Sequence, residues 1–309
     1  MALLIIAPEL ESEMFADELQ RLDPDLDVRI WPQTGNADDI ELALTWHHPI
    51  GEFAKFKKLK CIASLGAGVD HIFRDSELPE GVPVTRVVQS SMSQFMSEYV
   101  ILAVLHYCRQ FDIYKDDQAA KRWHSRIPLL ARDICIGIMG LGQLGADAAR
   151  KLAQLEFNVA GWSRTPKTID GVESYAGNDA LGEFLSRANI LVCLLPLTPA
   201  TTGILNSSTF EKLPAGAYII NVARGAHLIE DDLLAALDSG HLSGACLDVF
   251  QTEPLPEDHP FWSHPKILIT PHISSITDPI SVMPQILENY RRMKSGKPLT
   301  HVVDIDRGY

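Results

Sequence analysis

The sequence predicts an α/β protein built from two successive open parallel sheets. Short apolar runs rich in β-branched residues recur along the chain, and helix-like amphipathic stretches separate most of them. This alternation is typical of βα units around a parallel sheet. The length of 309 residues also exceeds what one hydrophobic core usually supports. Two domains of the Rossmann/flavodoxin-like kind are therefore expected.

The first sheet is predicted from apolar runs at residues 2–7, 27–31, 42–46, 61–65 and 82–88. The second is predicted from runs at residues 134–139, 158–163, 190–195, 217–222, 245–250 and 267–270. Between the two sets, residues 94–117 have apolar positions at helical spacing without Gly or Pro, so one long helix is expected to join the domains. Residues 279–294 are also helical in pattern, and the short tail after them is expected to pack back on the first domain.

Composition and charge exclude several classes of function. The formal net charge of −13 opposes binding to nucleic acid and to anionic membrane surfaces. The N-terminal apolar run is short and has no cationic region before it, so a strand is expected there rather than a signal peptide. The five cysteines show no CxxC pair and no metal-ligand spacing. These features favour a cytoplasmic protein with reduced thiols and no metal.

A glycine-rich turn follows the run at residues 134–139 and precedes an amphipathic stretch. Glycines in this context allow a tight turn and close approach of the backbone to a pyrophosphate, with the helix N-terminus facing the phosphates. A turn that serves packing alone is the competing interpretation. The expected dinucleotide contacts are Gly140, Leu141, Gly142, Gln143, Leu144 and Gly145.

The run at residues 158–163 ends where a dinucleotide-binding fold usually places an acid for the ribose hydroxyls. This chain instead has Ser163, Arg164, Thr165 and then Lys167. A guanidinium beside a hydroxyl suits a 2′-phosphate, which an acid would repel. NADPH is therefore the expected cofactor and NADH the less favoured one. The alternative is that Arg164 is a solvated surface cation.

Polar side chains follow three later strands, and the ligand crevice of an open parallel sheet lies beyond such strand ends. They include Arg224, Asp248, Glu253 and His272. Reducing a 2-keto acid requires a cation for its carboxylate and carbonyl oxygen and an acid that protonates this oxygen. Arg224 and His272 match these roles, and Glu253 is the candidate that orients the imidazole. The structural alternatives are that Arg224 forms an ion pair, that His272 is a core histidine and that Glu253 begins a surface turn.

Two segments of the first domain are candidates for contacting the substrate. Gly66 and Gly68 follow the run at residues 61–65, where consecutive exposed amides can bind a carboxylate, although a plain strand-to-helix turn is the alternative. His47, beside Trp46, also follows a strand pattern and could line a substrate cleft. For His47 a structural role is the favoured interpretation.

Taken together, the segments LGAGVD, GLGQLG, NVARG, LDVFQTEP and PHISS occur in the order that resembles the D-isomer-specific 2-hydroxyacid dehydrogenase family. The stretches WHHP, GWSRT, LPAGAYIINVARG, EDDLLAALDSG and the terminal DRGY extend this resemblance over nearly the whole chain. It implies a homodimeric reductase of small 2-keto acids such as glyoxylate and hydroxypyruvate. It also implies a substrate domain of residues 1–95 and 283–309, a dinucleotide domain of residues 96–282, and a cleft between them.

The resemblance further implies individual roles. Arg224 would bind the substrate carboxylate and carbonyl, Glu253 would support the histidine, and His272 would donate the proton. Substrate contacts would come from Trp46, His47, Leu65, Gly66, Ala67 and Gly68. Further cofactor contacts would come from Leu195, Pro196, Val222, Ala223, Asp248 and Ser274. A non-catalytic dinucleotide sensor on the same fold and a dehydrogenase for a bulkier acid, such as phosphoglycerate, remain alternatives.

Overall fold

The computed structural model describes residues 1–304, and its contacts divide the chain into two compact units. Unit 1 consists of Met1–Ser91 together with the chain from Thr277 onward, and unit 2 is Met92–Ile276. The sequence places the two boundaries slightly later, at residues 95/96 and 282/283. The DRGY stretch and the last part of the predicted substrate domain, residues 305–309, lie outside the described residues.

The strands are β1 (Ala2–Ile6), β2 (Asp27–Ile30), β3 (Ile40–Thr45), β4 (Cys61–Ser64), β5 (Val84–Thr85), β6 (Cys135–Met139), β7 (Asn158–Ser163), β8 (Val172–Ala176), β9 (Ile190–Cys193), β10 (Ala217–Asn221), β11 (Leu242–Leu247) and β12 (Ile267–Ile269). The α-helices are α1 (Ser12–Leu22), α2 (Asp70–Phe73), α3 (Ser90–Cys108), α4 (Phe111–Ala119), α5 (Gln143–Gln154), α6 (Leu181–Arg187), α7 (Ser207–Phe210), α8 (Glu230–Asp238) and α9 (Pro279–Lys294).

Unit 1 is organised around a parallel sheet with the strand order β2-β1-β3-β4-β5. This is the order of flavodoxin-like sheets. Every residue of β1 is fully buried, which explains its continuous apolar run, because helices cover both faces of such a sheet. The carboxyl ends of β3 and β4 lead directly into the Trp46 and Gly66 segments.

Unit 2 contains a parallel sheet with the order β12-β11-β10-β9-β6-β7-β8. The α/β fold with two open parallel sheets is thus confirmed. The chain begins this sheet at β6, builds outward through β7 and β8, and returns on the other side of β6 with β9. The strand order therefore reverses between β6 and β9, and ligands bind at such a switch point in open α/β sheets.

Alternate residues of the central strands supply two separate cores in unit 2. Leu191 and Cys193 belong to one hydrophobic cluster, whereas Ile190 and Val192 belong to the other. All four side chains are fully buried. Burial of both faces holds the strands rigidly and fixes the positions of the loops that leave their carboxyl ends.

Four sequence predictions of secondary structure are corrected. The prediction of one long helix over residues 94–117 is wrong, because the segment is divided between α3 and α4. Gln110 between them has φ 59°, a left-handed conformation that is typical of Gly or Asn and could not be predicted from a glutamine. The predicted run at residues 82–88 forms only the two-residue strand β5, and β11 begins and ends three residues earlier than its predicted run. Strand β8 was missed because Tyr175 is its one buried residue and the rest of the strand is partly or fully exposed. Helix α9 matches its prediction.

Candidate active site

The glycine-rich turn lies at the switch point of the unit 2 sheet. Gly140 follows β6 with φ 103°, and Gly142 is the N-cap of α5. A Cβ atom on Gly145 would lie 1.9 Å from the carbonyl oxygen of Gly140, so only glycine fits there. The backbone from Gly140 to Gly145, through Leu141, Gln143 and Leu144, therefore brings the N-terminus of a twelve-residue helix to the crevice. This arrangement fits a pyrophosphate group.

The residues assigned to the 2′-phosphate lie directly after β7. Arg164, Thr165 and Lys167 are exposed, whereas Ser163 is 8% exposed. The Ser163 hydroxyl donates a 2.8 Å hydrogen bond to the carbonyl oxygen of Thr165. The Ser163 side chain therefore shapes this turn, after which the three predicted phosphate contacts are exposed.

The remaining candidates of unit 2 follow the carboxyl ends of four neighbouring strands. Leu195 and Pro196 come after β9, and Val222, Ala223 and Arg224 come after β10. Asp248 follows β11, and His272 and Ser274 follow β12. Sheet topology thus brings sequence segments that lie far apart to one edge of the unit.

Arg224 is positioned by the packing of the residue that follows it. A Cβ atom on Gly225 would lie 1.8 Å from the carbonyl carbon of Phe250, so the Arg224 turn sits directly against the segment that leads to Glu253. Asn221 donates a 3.0 Å hydrogen bond from its side chain to the carbonyl oxygen of Arg224. The Arg224 guanidinium donates to the carbonyl oxygen of Ala223 at 2.7 Å. These contacts fix the turn from which the guanidinium projects.

Glu253 and His272 form a direct pair. Nδ1 of His272 lies 2.7 Å from Oε2 of Glu253, and the backbone N–H of Phe250 donates to Oε1 of the same carboxylate at 2.9 Å. Burial raises the pKa of Glu253, but the bonds from His272 and Phe250 and the charges of His272 and Arg224 outweigh it, so that the pKa lies below its usual value. Glu253 is therefore a carboxylate at neutral pH, in electrostatic contact with both other candidates.

Asp248 anchors the loop that carries His272. Its carboxylate is fully buried and accepts hydrogen bonds from the backbone N–H groups of Ile273 and Ser274, both at 2.8 Å. The Thr270 hydroxyl donates to the same carboxylate at 2.6 Å. His272 itself has φ 55°, and its N–H donates to the carbonyl oxygen of Asp248 at 2.8 Å. These bonds hold a strained backbone in place.

The Asp248 network includes two residues that the sequence analysis missed. Thr270 bridges Asp248 and Tyr99, whose hydroxyl lies 2.5 Å from the Thr270 hydroxyl. Burial raises the pKa of Tyr99, so its phenol stays protonated and can donate. Tyr99 lies on α3, far away along the chain, and no sequence spacing signals this contact. The resemblance implies a cofactor contact from Asp248, whereas its carboxylate oxygens here bind the loop that carries His272.

In unit 1, the structure narrows the predicted carboxylate-binding amides. The N–H of Leu65 donates to the carbonyl oxygen of Thr45 at 3.0 Å, and the N–H of Gly66 donates to the Ser64 hydroxyl at 3.1 Å. Four consecutive donor amides are therefore not present at this turn. The N–H groups of Ala67 and Gly68, both half-buried, are the ones left to meet a ligand.

Trp46 and His47 form a wall beside this turn. A Cβ atom on Gly66 would lie 2.6 Å from the Trp46 ring, so the indole packs on the glycine backbone. The rings of Trp46 and His47 stack with centroids 5.0 Å apart. His47 has φ 49°, and its Nδ1 lies 2.6 Å from Oε2 of Glu9. Unit 1 thus places Trp46 and His47 on the same surface as the Gly66 turn.

Comparison with known proteins identifies the family. The sequence profile of the D-isomer specific 2-hydroxyacid dehydrogenase NAD binding domain matches residues 101–274, which include the glycine-rich turn and all three candidate catalytic residues. The chain belongs to this family. Among the residues that the structure describes, no group of three or more His, Cys, Asp or Glu side chains is arranged to hold a metal ion.

Relatives of known name resemble the chain over its full length. Glyoxylate/hydroxypyruvate reductase A of Photorhabdus laumondii is 43% identical over 314 residues, and the alignment covers 100% of both chains. The protein of the same name from Yersinia enterocolitica is 44% identical, again over 100% of both chains.

Two solved structures resemble the chain equally well. A D-isomer specific 2-hydroxyacid dehydrogenase of Xanthobacter autotrophicus, in complex with NADPH and MES, has a TM-score of 0.95 at 43% identity, covering 100% of this chain and 99% of the other. An NADPH-dependent glyoxylate/hydroxypyruvate reductase of Sinorhizobium meliloti, in complex with NADP and sulfate, has a TM-score of 0.94 at 38% identity and covers 100% of both chains.

Proposed function

We propose that this protein reduces glyoxylate to glycolate and hydroxypyruvate to D-glycerate with NADPH. The observation that carries the proposal is the pairing of His272 with Glu253, with Arg224 in electrostatic contact, on the sheet edge that also holds the glycine-rich turn. The two similar solved structures contain NADPH or NADP, and the named relatives are glyoxylate/hydroxypyruvate reductases.

The three side chains supply the parts of the reaction that a protein must supply. Bound NADPH provides the hydride that C2 of the keto acid accepts. Arg224 binds the substrate carboxylate through its planar guanidinium and polarises the carbonyl. His272 gives its proton to the carbonyl oxygen as that oxygen gains negative charge. The balanced reaction consumes one keto acid, one NADPH and one proton, and releases the 2-hydroxy acid and NADP⁺.

Glu253 determines how His272 acts in this scheme. Since Nδ1 of His272 is hydrogen-bonded to the carboxylate, Nε2 is the ring nitrogen that transfers the proton. The carboxylate at 2.7 Å keeps the imidazole ring oriented before and after the proton is transferred. Glu253 is thus a positioning residue, and His272 is the acid.

The preference for NADPH rests on the turn after β7. Arg164 and Thr165 are exposed there, and residues 158–169 contain no carboxylate that would repel a 2′-phosphate. Arg164 can bind two phosphate oxygens at once because its N–H groups form a planar fork. Lys167 adds a second positive charge nearby along the chain. NADH, which lacks the phosphate, gains nothing from these cations.

The residues proposed to limit the size of the substrate belong to unit 1. The amides of Ala67 and Gly68 bind the carboxylate, while the Trp46 and His47 rings border the substituent on C2. The indole packs on the backbone of Gly66, so Trp46 limits the space beside this turn. The proposed substrates are accordingly small, with a hydrogen or a hydroxymethyl group beside the carbonyl.

The assembly is proposed to be a homodimer. In the single chain, large apolar side chains are exposed on α3, α4 and the segment after α4: Trp123 is 103% exposed and Ile127 is 87% exposed. Leu102, Phe111 and Ile113 in the same two helices are exposed as well. Large apolar side chains exposed together favour an interface. A second copy of the chain is the occupant that the family resemblance favours.

A cytoplasmic location is proposed from the thiols. All five cysteines are free, four of them buried, and burial raises the pKa of the Cys61 thiol to about 11 and of Cys193 to about 12. Such thiols remain in the protonated form, which suits a reducing compartment. In the described residues, none of the helices has the length and apolar character that spanning a membrane requires.

The proposed activity is tested by following NADPH and NADH absorbance separately with glyoxylate, hydroxypyruvate, pyruvate and buffer over purified protein. Rapid loss of NADPH with the first two substrates, and slow loss of NADH, is the expected result. If cofactor binds and none is consumed, the protein is a dinucleotide sensor rather than a reductase. Consumption only with a bulkier keto acid would overturn the assigned substrates.

A further inference from the structure

One buried histidine, His71, connects the two substrate-facing segments of unit 1. It lies in α2 and is 3% exposed. Its Nδ1 accepts a 3.3 Å hydrogen bond from the backbone N–H of His47, and its Nε2 lies 2.9 Å from the Ser64 hydroxyl. The sequence analysis did not single out His71, because a histidine in the first turn of a short helix carries no pattern of its own.

The hydrogen-bond donors around His71 determine its protonation. A backbone N–H can only donate, so Nδ1, which faces the N–H of His47, must be without a proton. A neutral imidazole then carries its proton on Nε2 and donates it to the Ser64 hydroxyl oxygen. The Ser64 hydroxyl in turn donates to the carbonyl oxygen of Gly68 at 2.8 Å. Each donor in this series of three hydrogen bonds therefore has an acceptor.

Ser64 transmits this arrangement to the turn that holds the ligand-facing amides. Its oxygen also accepts the N–H of Gly66 at 3.1 Å, while its proton goes to the Gly68 carbonyl. The amides of Ala67 and Gly68 lie between these two fixed peptide groups. Their direction is thus set by Ser64, and the Ser64 hydroxyl is oriented by His71.

His71 also supports the aromatic wall. The Trp46 ring centroid lies 4.5 Å from the centroid of the His71 ring, and His47 lies 5.7 Å from it with the rings edge to face. The bond from the His47 N–H to Nδ1 fixes a residue whose φ of 49° is unfavourable for a side chain other than glycine. Loss of this bond would release the His47 backbone and, with it, the Trp46 ring.

We propose that His71, as a neutral imidazole protonated on Nε2, is a positioning residue that holds the Ala67 and Gly68 amides and the Trp46–His47 wall in one arrangement for the substrate. The proposal rests on the proposed function, since it assigns these groups to the keto acid. It adds a residue that touches neither substrate nor cofactor and acts on affinity for the keto acid alone. A histidine that serves only the core would instead change stability.

The tautomer is tested first, because this measurement does not depend on turnover. The protein is labelled with ¹⁵N in its histidine rings, and two-bond ¹⁵N–¹H correlation spectra are recorded at neutral pH. The His71 signals are assigned as those missing from His71→Phe, or from His71→Gln if the Phe variant does not fold. Protonated Nε2 with bare Nδ1 is the expected pattern. Protonated Nδ1, or protons on both nitrogens, would overturn the proposal whether or not the protein is a reductase.

The positioning role is tested by kinetics of His71→Phe and Ser64→Ala with Thr85→Val as the matched control. Thr85 is 1% exposed on neighbouring β5 and contacts Cys61, so its loss perturbs the same sheet without touching Ser64. We expect both test variants to raise KM for glyoxylate by about tenfold or more, with kcat and the Kd for NADPH within about twofold of wild type. His71→Gln, which keeps an N–H donor for Ser64, should recover part of the affinity.

The outcomes separate this proposal from the proposed function. Unchanged KM in both test variants, or an equal rise in Thr85→Val, contradicts the positioning role while the reductase activity stands. An inactive wild-type protein contradicts the proposed function, and the tautomer spectra then decide whether His71 has the protonation assigned here. If His71→Phe does not fold, Ser64→Ala decides the kinetic part alone.

Discussion

Nδ1 of His272 and Oε2 of Glu253 are 2.7 Å apart, although the two residues come from loops that follow different strands. The cis peptide bond between Glu253 and Pro254 and the left-handed backbone of His272 are local features of these loops. Since Nδ1 is engaged with the carboxylate, the chemistry of the imidazole is directed to Nε2. The following predictions test this pair and the groups around it.

Replacing His272 with Asn should abolish turnover and leave NADPH binding intact. Asn keeps a polar group near Glu253 but cannot donate a proton at the position of Nε2, so kcat should fall by about 10²–10⁴-fold. Steady-state kinetics and NADPH fluorescence titration measure the two effects. His264→Asn is the control, because His264 precedes β12, whereas His272 follows it, and pairs with Asp238 instead of Glu253. Unchanged turnover in His272→Asn would reject the assignment.

Replacing Glu253 with Gln should destabilise the protein in a pH-dependent way. The pKa of Glu253 is lowered in the folded protein, so its carboxylate contributes stability above the ordinary value of 4.5, and this contribution is lost as pH falls through the folded pKa. The pair is about one-third exposed, so we expect a loss of about 0.5–1 kcal/mol at pH 7. Urea unfolding at descending pH measures the difference from wild type, which should shrink toward zero in acid.

The neighbouring exposed acid Glu257 provides the control for this experiment. Glu257→Gln should change the free energy of unfolding little at any pH, since the Glu257 side chain is exposed. A Glu253→Gln difference that grew as the pH fell would contradict the sign worked out from its lowered pKa.

Replacing Arg164 with Asp should reverse the preference for NADPH. A carboxylate would repel the 2′-phosphate and accept the ribose hydroxyls of NADH, so the ratio of kcat/KM for NADPH to that for NADH should fall by about 100-fold. Arg132→Asp is the matched control. Arg132 is an exposed arginine that precedes β6, whereas Arg164 follows β7 in the same sheet. Equal effects of the two substitutions would show that net charge, not the site, is responsible.

Replacing Gly145 with Ala should weaken NADPH binding and lower Tm together. The added methyl group would meet the carbonyl oxygen of Gly140 at 1.9 Å, which displaces the turn or the start of α5. We expect the Kd for NADPH to rise by at least about tenfold. Gly182→Ala in α6 is the control, because nothing lies within 4 Å of its added Cβ and Ala favours a helix by about 0.5–1 kcal/mol. Tight binding in Gly145→Ala would remove the turn from the cofactor site.

Replacing Trp123 with Asp should dissociate the proposed homodimer. The side chain is fully exposed in the single chain, so the substitution should not affect folding of the monomer. Sedimentation equilibrium of wild type and variant measures the mass in solution. Met14→Asp, which changes an exposed apolar residue on α1, is the control. A monomeric wild-type protein, or a variant that remains dimeric, would contradict the assigned interface.

Much of the fold could be predicted because its signals are local. Strands buried on both faces, such as β1 and β10, appear as continuous apolar runs, and the Gly140–Gly145 turn has a glycine pattern in its proper context. The break at Gln110 and the edge strand β8 could not be predicted, for physical reasons. A left-handed glutamine has no sequence signature, and an edge strand with one buried side chain lacks the apolar pattern that marks its neighbours.

In the candidate site, too, some residues have a signal in the sequence and others have none. Parallel-sheet topology explains why Arg224 and His272 can be predicted, since both follow apolar strands at the same edge. Tyr99, Thr270 and His71 could not be found in this way, because each acts through a hydrogen bond to a residue far along the chain or through a neighbouring backbone group. Likewise, only the structure reveals that the Gly66 amide is occupied by Ser64.

The most direct test of the account follows the hydride itself. Hydroxypyruvate is incubated with the protein and NADPH that carries deuterium at the transferred C4 position, and the product is analysed by mass spectrometry and chiral chromatography. The account predicts D-glycerate with one deuterium on C2. L-glycerate, product without deuterium, or unreacted hydroxypyruvate with intact NADPH would contradict it.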